Sequence, residues 1–256
     1  MYLVPDAAIL YGFGNDPAGT HGSRTIMLSE LRQLLGSMPR DAAYDDFVRA
    51  IVEENVLGKR TMATRKESVR RLRELYALNP DVSLFRALRD LWEANTEAQP
   101  LLAFLCASAR DPILRASAGL VQETPQGEMV TPQMIEVATA QAFPERYNAT
   151  MLANIGRHAA SSWQQAGYLQ GKMKKTRSRA LAQPESTAYA LYLGHLCGAG
   201  GEALFSTFWA KLLDAPAHAL HEQARIAAQH GWIAYRSLGG VTEVEFPHLP
   251  RPVEQQ

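Results

Sequence analysis

Seven basic side chains, Lys59, Arg60, Arg65, Lys66, Arg70, Arg71 and Arg73, fall within residues 59–75 against two acids, Glu67 and Glu74. Arginine dominates the set, and a planar guanidinium suits bidentate contacts with phosphate. Thr64 opens the helix expected here, with Glu67 three residues on in capping-box spacing, and a helix N-terminus favours anions. On a helical wheel Lys66, Arg70 and Arg73 share one flank and Arg71 lies on the other, bordering an apolar stripe of Val69, Leu72, Leu75 and Tyr76. A second cluster, Lys172, Lys174, Lys175, Arg177 and Arg179, occupies residues 172–179 with no acid. Contacts of this kind position a nucleic acid without reading its sequence. The competing interpretation is internal, because residues 40–54 carry five acids against two arginines and could neutralise the first cluster. Exposed ion pairs contribute only about 0–1 kcal/mol each, so stability alone is a weak reason to gather so many cations.

Other chemistries find less support. There is no HExxH, paired CxxC or H-x-E…C-x-x-C pattern, so no metal site is assigned. His218 and His221 stand three apart on an expected helix but lack an acidic or Cys partner at fitting spacing, and read as surface histidines. No G-x-S-x-G elbow is present, and Ser161-Ser162 falls in mid-helix. The acidic pairs Asp45-Asp46 and Glu53-Glu54 are sequence neighbours, which do not face each other across a helix. The "GFGNDPAGTHGS" stretch has neither the third glycine nor the strand–helix context of a dinucleotide site. No catalytic residue and no cofactor is assigned, and the chain is expected not to be an enzyme.

These clusters must be held by mostly helical elements. Residues 1–23 read as a loop or loosely docked tail. Leu28, Leu31, Leu34 and Leu35 keep helical spacing, as do Tyr44, Phe47, Val48, Ile51 and Val52. The basic helix runs from Thr64 to Asn79-Pro80, and further helices are expected near 84–95, 100–109, 132–142 and 148–166. The loop "QETPQGEMVTP" is the best candidate for a boundary between a helical domain over 24–124 and a second over 125–250. A short strand and a basic loop follow the helix stop at Gly167. Pro216 starts a last helix that ends at Gly231, and two short runs flank Gly239-Gly240 as a β-hairpin. Helices followed by a hairpin are the order of a winged helix-turn-helix, in which helix 216–230 would be the recognition element. Its outward residues, His218, His221, Glu222, Arg225 and Gln229, include one permanent cation, Arg225. The tail 251–256 is expected to be disordered. The fold class is therefore mainly α, with two helical domains, helix-turn-helix or winged-helix-like elements and a small C-terminal hairpin.

The 256 residues carry 26 bases and 26 acids, so nucleic-acid binding would depend on local patches rather than overall charge. Cys106 and Cys197 sit inside apolar runs and read as buried free thiols of a reducing compartment. The N-terminus lacks the basic region and apolar core of a signal peptide. The apolar run 188–213 is interrupted by His195, "GAGG", Glu202 and Lys211, against a membrane span. A cytoplasmic protein without a membrane partner is expected.

The segment "IVEENVLGKRTMATRKESVRRLRELYAL", with "LFRALRDLW…PLLAFLCASARDPILR", resembles the BrxA family of BREX bacteriophage-exclusion systems. The likeness covers about residues 24–120 and continues through "WQQAGYL" near 163–169. It implies an all-α protein with helix-turn-helix-like elements that binds DNA without catalysis, encoded beside a methyltransferase, a phosphatase-like protein and a large ATPase. Thr64, Arg65, Lys66, Arg70, Arg71 and Arg73 fall in the matching helix. The expected function is binding of double-stranded DNA in a phage-defence complex. The alternative is a helical scaffold that docks acidic partner proteins of the complex.

Overall fold

Leu28, Leu31, Leu34 and Leu35 coil the chain into α1 (Leu28–Ser37), and all four are buried. The computed structural model describes residues 1–17, 19–247 and 249; the tail expected over 251–256 lies outside them. Helix α2 (Tyr44–Val52) buries Phe47 and Ile51. Helix α3 (Met62–Tyr76) buries Val69, Leu72, Leu75 and Tyr76 as the stripe requires. Its N-cap is Thr61, not Thr64. The Thr61 hydroxyl accepts the Thr64 N–H at 3.2 Å, which adds a capped turn before the position assigned from Glu67.

Four helices follow, α4 (Ser83–Trp92), α5 (Gln99–Arg110), α6 (Pro112–Ala116) and α7 (Ala118–Glu123). Helix α5 is apolar on all sides and is buried along almost its whole length. Helices α8 (Pro132–Ala142) and α9 (Ala149–Gln165) start on the Thr131 and Asn148 side chains, which accept the Met134 and Met151 N–H groups. A short antiparallel pair, β1 (Leu169–Gln170) and β2 (Thr176–Arg177), sets Leu169 opposite Arg177. The broken apolar run forms α10 (Pro184–Leu196), a 3-10 turn over Gly201–Ser206 and α11 (Phe208–Lys211). Helix α12 (Ala217–Gln229) stops before Gly231, whose φ is 77°. Strands β3 (Ala234–Leu238) and β4 (Val241–Glu245) close the chain through Gly239 and Gly240, both at positive φ. The fold is mainly α with a small C-terminal hairpin. No helix among the described residues is long and apolar enough to cross a membrane.

One buried apolar cluster runs from Val4 to Leu249 and continues across the expected boundary at 124. Phe104 of α5 meets Trp163 at 4.4 Å and Tyr168 at 5.2 Å, ring centre to ring centre. Residues 1–23 are no loose tail. Val4, Ala8 and Phe13 are buried, and Tyr2 stacks on Phe208 at 4.5 Å. The reason is Arg115, 2% exposed, whose guanidinium donates to the Ser108 and Ala109 carbonyls at the end of α5 and to those of Tyr2 and Gly14. A cation there answers the negative end of a helix and ties the N-terminal segment to it. Arg110 joins the end of α3 to the Gly12 carbonyl in the same way, at 2.9 Å from Glu74 O and 2.6 Å from Gly12 O.

Candidate nucleic-acid interface

Helices α8 and α9 cross where Gly156 sits; a Cβ at this position would run into the Pro132 carbonyl oxygen. Ile155, Ala159, Ala160 and Trp163 of α9 are buried against the body. The opposite face presents Thr150, Asn154, Arg157, Ser161 and Gln164, exposed or half-buried. Immediately after α9 the chain makes the two-stranded β1–β2 hairpin, and the extended segment 127–130 runs beside β2. The Gly127 N–H donates to Arg177 O at 2.9 Å, Arg177 N–H to Glu128 O at 2.7 Å, and Val130 N–H to Lys175 O at 3.0 Å. Met129 and Thr176 are bridged. Helix, extended segment, helix, helix and short antiparallel pair over residues 118–177 follow the element order of a winged helix-turn-helix, with α9 at the position of its second helix and residues 171–175 at that of its wing.

The wing is fastened to α9. Gln164 donates to Gly171 O at 3.0 Å and accepts from the Lys175 ammonium. Burial holds the Lys175 ammonium below its usual pKa. Arg177 is 3% exposed and anchors the hairpin base, donating to Val121 O at 2.7 Å and pairing with Asp214 at 2.7 Å. Its assignment to phosphate is therefore corrected: the guanidinium fills the interior. Arg179 is exposed but donates to Asp214 O at 2.9 Å. Lys172 and Lys174 are exposed at the wing tip.

The α3 cluster is mostly committed within the chain. Arg70 and Arg71 share Glu67 and Glu74 in four ion pairs between 2.7 and 3.2 Å. The Arg70 guanidinium, with Arg71 beside it, pulls the Glu67 carboxyl down to about 2. Lys59 pairs with Glu30 at 3.0 Å, and Arg65 donates to Val52 O at 3.0 Å. Arg73 lies over the Tyr44 ring at 5.0 Å. The neutralising acids thus come from α3 itself and from α1, not from 40–54. Thr64 is spent on the cap with Thr61. Arg60 and Lys66 remain exposed. In the C-terminal pair, the helix-then-hairpin order is present, but Arg225 is paired with Glu222 at 2.6 Å and β4 carries Glu243 and Glu245.

Segment 19–24 joins the two basic regions. Thr20 bonds Glu74 of α3, the His21 carbonyl accepts from His158 Nδ1 at 3.1 Å, and Gly22 lies against Met151 of α9. Arg24 is exposed at the same place. Burial depresses the His158 pKa. Beneath this segment Ser162, His21 and Asp111 are linked in the order of a hydrolase triad. His21 Nε2 is 3.0 Å from Ser162 Oγ and Nδ1 is 2.6 Å from Asp111 Oδ2. All three are buried to 2% exposure or less, and Ser162 Oγ also accepts the Ile26 N–H and donates to His158 O. These bonds tie α9 to segment 19–24 and to Asp111 at the start of α6. Among the described residues no three His, Cys, Asp or Glu side chains converge in the way a metal ion needs.

A recognition helix is expected at 216–230, and the exposed residues Asn154, Arg157, Ser161 and Gln164 of α9 carry no motif that singles them out. The signal there is an absence: residues 146–184 contain no acid and seven cations, Arg146 and Arg157 among them. Compared with known proteins, the chain matches no family model and none of the curated proteins.

Proposed function

We propose that the protein binds double-stranded DNA, with α9 in the major groove and the wing on the flanking backbone, as a non-catalytic component of a BREX-type phage-defence system. The defence context rests on the resemblance to the BrxA family. The observation that carries the binding reading is the exposed face of α9 continuing into the wing without an acid between residues 146 and 184. A B-DNA major groove about 12 Å wide admits a helix, and Asn, Arg, Ser, Thr and Gln are the side chains that meet base edges there. The start of α9 is exposed over Asn148, Ala149 and Thr150, with the Met151 N–H already held by the Asn148 side chain, and the positive end of the helix favours a phosphate. Lys172 and Lys174 add exposed cations, and Arg24, Arg60 and Lys66 widen the positive margin towards α3.

The test is fluorescence anisotropy of labelled duplexes of several lengths and two sequences, from low to moderate salt. Binding with a log–log salt slope of about −0.9 per phosphate neutralised is the expected result. Absence of duplex binding at the lowest salt, with retention of an acidic partner protein, would assign the cations to the scaffold alternative.

A further inference from the structure

The wing tip carries a feature that phosphate contact alone does not require. Met173 is 92% exposed, between Lys172 and Lys174. No acid lies near it in sequence, and its hairpin base is rigid. Gly171 holds φ at 100°, and a Cβ there would collide with the Lys174 carbonyl oxygen, so the turn is tight and specific to glycine. Below it, Gln164 and buried Arg177 clamp both strands.

We propose that Met173 is a wedge that enters the minor groove beside the α9 site and opens one base step, while Lys172 and Lys174 rest on the two phosphate ridges. This rests on the DNA-binding reading above and specifies how the duplex is deformed. An apolar side chain inserted between base pairs unstacks them and bends the duplex towards the major groove, where a bend brings more DNA onto the protein. Methionine is unbranched and polarizable and adapts to an irregular gap. A preformed tip loses little freedom on insertion. The C-terminal hairpin provides the contrast. Its tip also exposes apolar residues, Leu238 and Val241, but it is followed by Glu243 and Glu245, which phosphate would repel. Among the described residues, the 171–175 tip is the one hairpin turn that combines an apolar point with cationic shoulders.

The experiment uses the full chain with duplexes carrying TA steps, which kink easily. Donor and acceptor dyes at the ends report bending, and 2-aminopurine at successive positions reports unstacking. Wild type is expected to shorten the end-to-end distance and to raise 2-aminopurine emission at one step. Met173→Ala should lose both signals while keeping its salt slope and its affinity within about tenfold. Lys172→Ala with Lys174→Ala should instead flatten the slope by about two phosphates' worth. Wild type that binds duplex without bending or unstacking it, or Met173→Ala that keeps both signals, overturns the wedge and leaves the DNA reading standing. Failure of wild type to bind any duplex overturns both.

Discussion

Arg177 and Lys172 stand five residues apart in one cationic run and do opposite work. Arg177 is inside, hydrogen-bonded to Val121 O and paired with Asp214, which is itself 18% exposed. Lys172 is outside and free to meet a phosphate. Removing one partner of a buried pair strands the other charge, which costs about 3–5 kcal/mol. Arg177→Met is therefore expected to lower stability by that amount in urea unfolding. At a temperature where the variant is folded, its DNA affinity should change less than that of a wing-tip lysine variant. The same partition runs through α3, where Arg70 and Arg71 are held by Glu67 and Glu74 and Arg60 and Lys66 are not. Charge counts along the chain located both clusters. They could not sort inward from outward cations, because burial of an arginine depends on carbonyls and acids distant in sequence, as with Asp214.

At the scale of elements, the orientation of α9 depends on how closely it approaches α8. Two helical glycines give opposite expectations. Gly156→Ala places a Cβ against the Pro132 backbone carbonyl, which cannot swing away as a side chain would. Overpacking of this kind costs about 1–3 kcal/mol and outweighs the helix-propensity gain of about 1 kcal/mol. Gly119→Ala in α7 meets only the Glu123 carboxylate at 3.8 Å, so propensity wins there. Thermal unfolding should thus lower the midpoint for the first and raise it for the second. Helices α1, α2, α8 and α12 were legible because leucine spacing, the Thr131-Pro132 start and Gly231 are local signals. The extended pieces within 118–177 were not. They are two residues long or a single bridge, too short for alternation to register. The order of helix then hairpin was sought at 216–246, where the strands are five residues each and the alternation visible.

For the whole molecule, a neutral chain separates its charge by region rather than by domain. Residues 146–184 hold only cations, whereas β4 and the ends of α2 gather acids. The N-terminal segment, read from its glycines and turn formers as a loose tail, is the piece that couples these regions. Arg115 ties it to the end of α5 and His21 ties it to Asp111 and to Ser162 of α9, and neither contact has a sequence pattern. One continuous core keeps the α3 margin, segment 19–24, α9 and the wing in fixed relation. The central claim is that α9 and its wing grip duplex DNA. Its most direct test compares the salt dependence of duplex binding by wild type, by Arg157→Glu with Lys172→Glu and Lys174→Glu, and by Arg60→Glu with Lys66→Glu. The α9–wing variant should lose at least about tenfold in affinity, with the magnitude of the slope reduced by about 0.9 per lost phosphate contact, and the α3 variant should lose less. An α9–wing variant that stays folded and binds with the wild-type slope would contradict the account.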